Sequence, residues 1–319
     1  MSKKVLVAAR SFARSPEAKA VLTQHGCELT LNPYDRPLTE AELLSLLPGM
    51  DALVAGNDAV TAAVIGAAVP GLKIIAKHGV GYDTIAVDRA AELGVPVTIA
   101  PGANSRSVAD LTLALMLALA RRIPQLDRLV RRNSWERLPG SELAGKTLGL
   151  IGVGSIGGEV ARRARGFEMN CIAYDRCQRN DVCEQYGVRY VTLPKLLADS
   201  DYVSLHVPAT AETAGMINRH TLGLMKPTAY LINTARGDLV VEEDLYYALA
   251  ANRIAGAALD TFREEPLHDS RLFELDTVVL TPHTGAHTRE ATVRTGILAA
   301  EEVVRVLSGL QPRYAVNIQ

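Results

Sequence analysis

The chain has 319 residues, of which 48% are hydrophobic and 22% charged, with a formal net charge of −1. This length is typical of about two domains, and the composition is typical of a globular protein with substantial hydrophobic cores. The nearly balanced charge argues against nucleic acid as a main partner. The longest apolar stretch, LTLALMLALA at residues 111–120, is too short to span a bilayer, so we expect a buried helix and no membrane partner.

The N-terminal residues and the cysteines bear on the cellular location of the protein. The first residues, MSKKVLVAAR, run directly into a strand-like segment, so we expect no signal peptide. The four cysteines, Cys27, Cys171, Cys177 and Cys183, form no CxxC pair, and their spacing matches none of the usual metal-binding patterns. We therefore expect free thiols, a cytoplasmic protein and no bound metal.

The first third of the chain alternates short β-branched segments with helical ones. Strands are predicted at residues 4–9, 51–56, 72–77 and 95–100, and helices at residues 15–26 and 39–47. The second helix starts with Thr39 three residues before Glu42, which is the signature of a capping box. Strands that alternate with helices favour a parallel sheet covered by helices on both faces.

The rest of the chain repeats this alternation after a long helical segment, residues 104–132, which we expect to be interrupted at Pro124. Six further strands are predicted at residues 147–154, 170–175, 201–207, 229–235, 254–260 and 277–283. Six strands with helical connections are sufficient for a second, complete doubly wound sheet.

A glycine-rich turn, GVGSIG, follows the first strand of this second series and precedes a helical segment. In that context Gly152 permits a tight turn, Gly154 lets the backbone approach a pyrophosphate, and Gly157 lets the helix pack closely on the strand. The N-terminus of the helix then faces the phosphates. Asp175 ends the next strand, where a carboxylate binds the ribose hydroxyls and repels a 2′-phosphate. The pattern predicts NAD(H) and makes NADP the less favoured cofactor, although the neighbouring Arg176 weakens that preference.

Three charged residues follow later strands of the same series. Arg236 comes after the strand at 229–235, Glu265 lies five residues beyond Asp260, and His283 ends the last strand. The carboxyl ends of parallel strands share one edge of the sheet, so these residues are expected near the glycine turn. Arg236 suits a substrate carboxylate, and His283, with Glu265 favouring its imidazolium form, suits proton transfer to an alkoxide. With a hydride from the cofactor, this set predicts the reduction of a 2-oxo acid.

Seven motifs resemble those of the D-isomer-specific 2-hydroxyacid dehydrogenases, in particular the branch of the phosphoglycerate dehydrogenases. They are GVGSIG (152–157), YD (174–175), NTARG (233–237), LDTFREEP (259–266), PHTGA (282–286), KHGVGYDTI (77–85) and NSRSVADL (104–111). The resemblance covers the whole chain. It implies an α/β fold of two doubly wound parallel-sheet domains, in which a Rossmann NAD-binding domain, residues 102–286, is inserted into a flavodoxin-like substrate domain, residues 1–101 plus 287–319.

The resemblance also implies a role for individual residues. Arg236, Glu265 and His283 match the catalytic residues, with Arg236 and His283 also contacting the substrate. The implied cofactor contacts are Gly152, Gly154, Ser155, Ile156, Gly157, Asp175, Val207, Pro208, Thr234, Ala235, Asp260 and Gly285. The implied substrate loop is Gly79, Val80 and Gly81, whose backbone N–H groups meet the substrate carboxylate. Family members commonly form homodimers through the helix that carries LTLALMLALA, although packing within the domain explains this stripe equally well.

One departure from the branch concerns the substrate. Phosphoglycerate dehydrogenases typically carry an arginine where this chain has Ala55, and Lys77 remains as a basic partner. Asn57 and Asp58 are candidates to face a neutral polar substituent instead. The expected substrates are therefore small polar 2-oxo acids, either hydroxypyruvate and glyoxylate or 3-phosphohydroxypyruvate. An alternative is an NAD-sensing, corepressor-like binding protein of the same fold, which turnover of 2-oxo acids would exclude.

Overall fold

The computed structural model describes residues 2–318, which form two compact units. The first unit contains the residues up to Asn104 and those from His287 onward, and the second is Ser105–Ala286. The second unit is thus an insertion in the sequence of the first, and the predicted inserted-domain architecture is confirmed. Within residues 2–318, no helix is long and apolar enough to cross a membrane.

The first unit is built on a five-stranded parallel sheet. Its strands are β1 (Lys3–Val7), β2 (Cys27–Leu31), β3 (Ala52–Ala55), β4 (Ile74–Lys77) and β5 (Val97–Thr98), in the order β2-β1-β3-β4-β5. Its first helices are α1 (Arg10–Ala13), α2 (Pro16–Gln24), α3 (Glu40–Leu46), α4 (Ala62–Ala68) and α5 (Val87–Glu92). This strand order is that of a flavodoxin-like sheet. The capping box predicted at Thr39 and Glu42 is present at the start of α3.

The second unit starts with the helices α6 (Ser105–Ala120) and α7 (Ile123–Arg131). The sequence predicts one helix interrupted at Pro124, but the break lies earlier, at Arg122, whose φ of 53° is left-handed. Pro124 is then in the first turn of α7, where a residue without an N–H group is tolerated because those N–H groups have no helical partner. The apolar stripe of α6 is buried inside its own unit, with Leu115 and Met116 at 3% and 0% exposed.

The sheet of the second unit is also entirely parallel. Its strands are β6 (Thr147–Ile151), β7 (Asn170–Tyr174), β8 (Arg189–Tyr190), β9 (Tyr202–Leu205), β10 (Tyr230–Asn233), β11 (Gly256–Leu259) and β12 (Val278–Leu280), in the order β12-β11-β10-β9-β6-β7-β8. Its other helices are α8 (Ser155–Gly166), α9 (Asn180–Tyr186), α10 (Leu193–Asp199), α11 (Arg219–Gly223) and α12 (Glu242–Ala250), with 3₁₀ turns at Gly237–Leu239 and Arg271–Glu274. This is the Rossmann order, with one further strand at the end, and the chain reverses between β6 and β9.

The chain returns to the first unit in α13 (Arg289–Leu307), which packs on α2 and β4. Beyond it, the chain turns back along β5, where Val316 N donates to Val97 O at 2.9 Å. Glu302 of α13 is fully buried and fixes this returning segment to the helix. Its carboxylate accepts from Arg313 N and Nε at 2.8 Å and from Tyr314 N at 3.2 Å.

Replacing Glu302 tests whether this buried carboxylate stabilises the fold. Glu302→Ala should lower the free energy of unfolding by about 3 kcal/mol, because it removes a buried charged acceptor of three hydrogen bonds. The matched control is Glu301→Ala, since Glu301 pairs with the same arginine but is 42% exposed. That change should cost at most about 1 kcal/mol. Urea unfolding followed by circular dichroism measures both, and equal losses would contradict the assignment.

Candidate active site

The glycine-rich turn joins β6 to α8, and its geometry requires glycine at two positions. Gly152 has a φ of +96°, and a Cβ there would lie 2.7 Å from the carbonyl oxygen of His206. A Cβ on Gly157 would overlap the carbonyl oxygen of Gly152. In contrast, a Cβ on Gly154 would meet nothing within 4 Å, so the turn is open on the side of the helix N-terminus. No side chain caps α8, which leaves the N–H groups of its first turn available to an anion.

Asp175 lies directly after β7 and beside this turn. Its Oδ2 accepts from Val153 N at 2.7 Å, and its Oδ1 accepts from Cys177 N at 3.1 Å. Each carboxylate oxygen has a second lone pair, which is what a pair of ribose hydroxyls requires. The neighbouring Arg176 forms an exposed ion pair with Glu212.

The remaining residues expected around a dinucleotide are at the same edge. Ser155 and Ile156 are the first two residues of α8, and Val207 and Pro208 follow β9 closely. The side chain of Val207 borders the turn, because its Cγ1 lies 2.8 Å from the position of a Cβ on Gly152. A turn open at a helix N-terminus, with a carboxylate at the end of the next strand, fits a dinucleotide.

Arg236 stands on a tight turn after β10, and the buried side chain of Asn233 closes that turn. Its Oδ1 accepts from Ala235 N at 3.0 Å, and its Nδ2 donates to Arg236 O at 2.8 Å. A Cβ on Gly237 would overlap the backbone of Phe262, so this position also requires glycine. Thr234 is buried on the same turn. Sequence reasoning missed Asn233, although an Asn at a strand end is a known signal for a side chain that bonds the next turn.

The loop that carries His283 is held by Asp260, at the end of β11. This carboxylate is buried and accepts from Thr281 Oγ1 at 2.6 Å, Thr284 N at 2.8 Å and Gly285 N at 2.8 Å. His283 has a φ of 50°, a left-handed conformation that a histidine adopts only when its surroundings impose it. Sequence reasoning placed Asp260 at the cofactor and did not foresee this contact with the histidine loop.

His283 and Glu265 form a pair, with 2.7 Å between Nδ1 and Oε2. The other oxygen of Glu265 accepts from Phe262 N at 3.0 Å, which fixes the carboxylate. Because Nδ1 is used by the glutamate, Nε2 is the nitrogen that can exchange a proton with a reactant. Arg236, Asp260 and His283 therefore follow three adjacent strands, β10, β11 and β12, at the edge that also carries the glycine turn.

The substrate-side residues predicted in the first unit follow β3 and β4. Lys77 is 5% exposed, and its Nζ donates to the carbonyl oxygen of Gly56 and, at 3.2 Å, to Oδ1 of the exposed Asn57. Gly79, Val80 and Gly81 form the loop directly after β4. Asp58, a candidate to face a neutral polar substituent of the substrate, is buried instead. Its two oxygens accept from the backbone N–H groups of Leu38 and Gly56 at 2.7 and 2.8 Å.

Among the described residues, no group of three His, Cys, Asp or Glu side chains could hold a metal ion. The four cysteines are all free thiols.

Comparison with known proteins agrees with this geometry. Residues 113–285 match the NAD-binding domain of the D-isomer specific 2-hydroxyacid dehydrogenases. The chain is 42% identical to a D-3-phosphoglycerate dehydrogenase of Archaeoglobus fulgidus over 95% of its own length and 58% of that protein. It therefore spans little more than half of this first relative. It is also 41% identical to a glyoxylate reductase of Korarchaeum cryptofilum, over 95% of this chain and 93% of the relative.

A solved structure extends the likeness to the whole chain. D-lactate dehydrogenase from Aquifex aeolicus, complexed with NAD and lactic acid, matches with a TM-score of 0.85 and 28% identity, covering 99% of this chain and 100% of the other. The family predicted from the seven sequence motifs is confirmed. The chain belongs to the D-isomer specific 2-hydroxyacid dehydrogenases.

Proposed function

We propose that this protein is an NAD-dependent oxidoreductase that interconverts a small polar D-2-hydroxy acid and its 2-oxo acid. The observation that carries the proposal is the His283–Glu265 pair, 2.7 Å apart, on the sheet edge that also holds Arg236 and the glycine turn. An acid/base pair beside a dinucleotide turn serves a reaction that moves both a hydride and a proton. The family membership and the named relatives support the same chemistry.

The residues of the second unit divide this reaction between them. Bound NADH supplies the hydride. The guanidinium of Arg236 holds the substrate carboxylate through paired N–H groups and polarises the adjacent carbonyl. Nε2 of His283 donates a proton to the oxygen that becomes the hydroxyl, and Glu265 stabilises and orients the imidazolium. Asp260 keeps the histidine loop in place, so that the proton donor is positioned before the reaction.

The cofactor contacts are assigned to the residues of the turn and its neighbours. The first turn of α8, with Gly154, Ser155 and Ile156, binds the pyrophosphate, and Asp175 binds the ribose. Val207 and Pro208 lie against the adenosine. Thr234, Ala235 and Gly285 lie beside the nicotinamide. The carboxylate of Asp175 disfavours a 2′-phosphate, so we expect NADH to be used in preference to NADPH.

The first unit is assigned to the substrate. The backbone N–H groups of Gly79, Val80 and Gly81 meet its carboxylate, and Asn57 and Lys77 face the side of its carbonyl carbon that points away from the carboxylate. A phosphate dianion needs paired positive charge to offset desolvation, and Ala55 stands where the phosphoglycerate branch has an arginine. The preferred substrates are therefore hydroxypyruvate or glyoxylate rather than 3-phosphohydroxypyruvate.

The protein is further proposed to be a cytoplasmic homodimer. The four free thiols suit a reducing compartment.

The apolar stripe of α6 is occupied inside its own unit, so α7 and the segment after it supply the better dimer surface. There Ile123, Val130 and Trp135 are 54%, 55% and 80% exposed. Large exposed apolar residues so close in sequence are candidates for a protein interface. Sedimentation velocity of the wild type and of Trp135→Ala tests the assignment.

The proposed activity is tested by following NADH oxidation with purified protein and a panel of 2-oxo acids. The panel contains hydroxypyruvate, glyoxylate, pyruvate, 2-oxoglutarate and 3-phosphohydroxypyruvate, each repeated with NADPH. Preference for hydroxypyruvate or glyoxylate with NADH supports the assignment. Preference for 3-phosphohydroxypyruvate would mean that Lys77 or another basic residue replaces the missing arginine. Tight NADH binding without turnover of any acid would overturn it in favour of a corepressor-like binding protein.

A further inference from the structure

His78 lies between the end of β4 and the loop Gly79–Gly81, and its side chain is half-buried in the first unit. Its Nδ1 lies 3.2 Å from Oγ of Ser11, which is on α1. Its Nε2 lies 3.4 Å from the carbonyl oxygen of Thr292, in the first turn of α13. The ring also packs edge to face on Phe12, with 6.0 Å between the ring centroids. This one side chain therefore contacts two separate helices.

The two polar contacts fix the tautomer of the ring. A carbonyl oxygen only accepts, so Nε2 must carry the hydrogen that is directed at Thr292. Nδ1 is then an acceptor, and the hydroxyl of Ser11 donates to it. The pKa of His78 is lowered to about 4, mainly by burial; hydrogen bonds to the backbone oppose this shift, and the nearby Lys77 and His287 add to it. The ring is thus neutral near pH 7 and keeps one donor and one acceptor.

Backbone contacts connect this ring to the loop that follows it. His78 N donates to Ala55 O at 2.8 Å, which extends the pairing of β3 and β4, and Gly79 O accepts from Ala100 N at 2.8 Å. These bonds fix one side of the loop entrance, whereas the imidazole fixes the other side to α1 and α13. Gly296 makes the second attachment possible, because a Cβ there would lie 2.6 Å from Cβ of Ala18 and would push α13 away.

We propose that His78 is a positioning residue that sets the loop Gly79–Gly81 through its hydrogen bonds to Ser11 and Thr292. This inference rests on the proposed function, which assigns the loop's N–H groups to the substrate carboxylate. His78 itself touches neither substrate nor cofactor. Its loss misplaces the carboxylate site and leaves the proton-transfer pair of the second unit unchanged.

Three substitutions separate the two hydrogen bonds. His78→Phe keeps the aromatic volume and removes both, His78→Asn keeps a polar atom near Nδ1, and His78→Gln keeps one near Nε2. His78→Phe should raise KM for the best 2-oxo acid about tenfold, while kcat changes less than about threefold, because the hydrogen bonds to Ser11 and Thr292 that position the loop are lost. His78→Asn or His78→Gln should raise KM by less than His78→Phe does. The Kd for NADH, measured by fluorescence titration, should not change.

A smaller substitution, at Ser11, tests the same hydrogen bond if the His78 variants fold poorly. Ser11→Ala should raise KM by a smaller factor than His78→Phe, and it should have no further effect when added to His78→Phe, because both changes remove the same hydrogen bond. Additive effects would overturn the proposal. So would a wild-type KM in His78→Phe, or a parallel fall of kcat and of NADH affinity.

Hydrogen exchange distinguishes a failure of this proposal from a failure of the proposed function. If the wild type reduces no 2-oxo acid, the proposed function is wrong, but the loop can still be tested directly. Amide exchange of residues 79–81 should be faster in His78→Phe than in the wild type, without substrate or cofactor. Unchanged exchange would overturn the positioning role, whatever the activity.

Discussion

A His283→Gln variant should reduce the preferred 2-oxo acid about 10³-fold more slowly than the wild type, with the loss in kcat. Glutamine has nearly the reach of the imidazole and can donate a hydrogen bond, but it cannot release a proton to a developing alkoxide. NADH affinity should stay within about twofold, because His283 is separated in the sheet order from β6 and β7, which carry the turn and Asp175. Loss of NADH absorbance measures the rate, and fluorescence titration measures the affinity.

Two further variants test whether the loss of rate is specific to the His283–Glu265 pair. Glu265→Gln keeps the size of the side chain and removes the charge that stabilises the imidazolium, so we expect a smaller loss in kcat, roughly 10- to 100-fold. His268→Gln is the matched control, because His268 is exposed and lies three residues beyond Glu265 in the same loop. It should behave as the wild type. Nearly full activity in His283→Gln would place the proton donor elsewhere.

The sequence predicts correctly that the candidate residues share one edge of the sheet, because parallel sheets impose a simple rule. Arg236, Asp260 and His283 each follow a strand, and the carboxyl ends of parallel strands lie at one edge. The glycine turn could also be predicted, because a strand before it and a helix after it restrict the backbone conformation of the residues between them. Position along the chain was sufficient here, without knowledge of any side-chain contact.

The elements that the sequence analysis missed lack that regularity. β2 is an edge strand that reads CELTL, of which only Cys27 is buried, and β8 has two residues. Neither presents the continuous apolar run that marks a strand buried on both faces. The break after α6 was also misplaced, because it lies at the left-handed Arg122, and arginine is not a residue that normally breaks a helix.

Contacts between side chains and loop backbones were equally beyond prediction. Asp58 was expected to face a substrate, yet its carboxylate accepts from the N–H groups of Leu38 and Gly56. Leu38 is far from Asp58 along the chain, and Gly56 lies in an irregular segment after β3. Asp260 holds the loop of His283 in the same way. Such bonds depend on where a loop backbone directs its N–H groups, and residue spacing carries no information on that. The placement of the candidate residues at one edge of the sheet could be predicted, but the contacts that hold them there could not.

Arg236→Gln should lower kcat/KM for the 2-oxo acid by roughly 10³-fold, because the substrate carboxylate loses a charged, paired donor. Arg236→Lys retains the positive charge but loses the planar pair of N–H groups, so it should recover only part of that activity. The turn itself should survive both changes, since it is closed by the side chain of Asn233 and by the contact of Gly237 with Phe262. Steady-state kinetics over a range of 2-oxo acid concentrations measures the loss.

The division of that loss between kcat and KM identifies the role of Arg236. If Arg236 only bound the carboxylate, KM would rise and kcat would be preserved, whereas polarisation of the carbonyl requires kcat to fall as well. Arg253→Gln is the matched control, because Arg253 is exposed beyond α12, and it should leave both constants unchanged. Free guanidinium added to Arg236→Gln should restore part of kcat/KM if the missing group is the charge pair. Equal kinetics in Arg236→Gln and the wild type would remove Arg236 from the site, and would leave the backbone of Gly79–Gly81 as the sole assigned carboxylate contact.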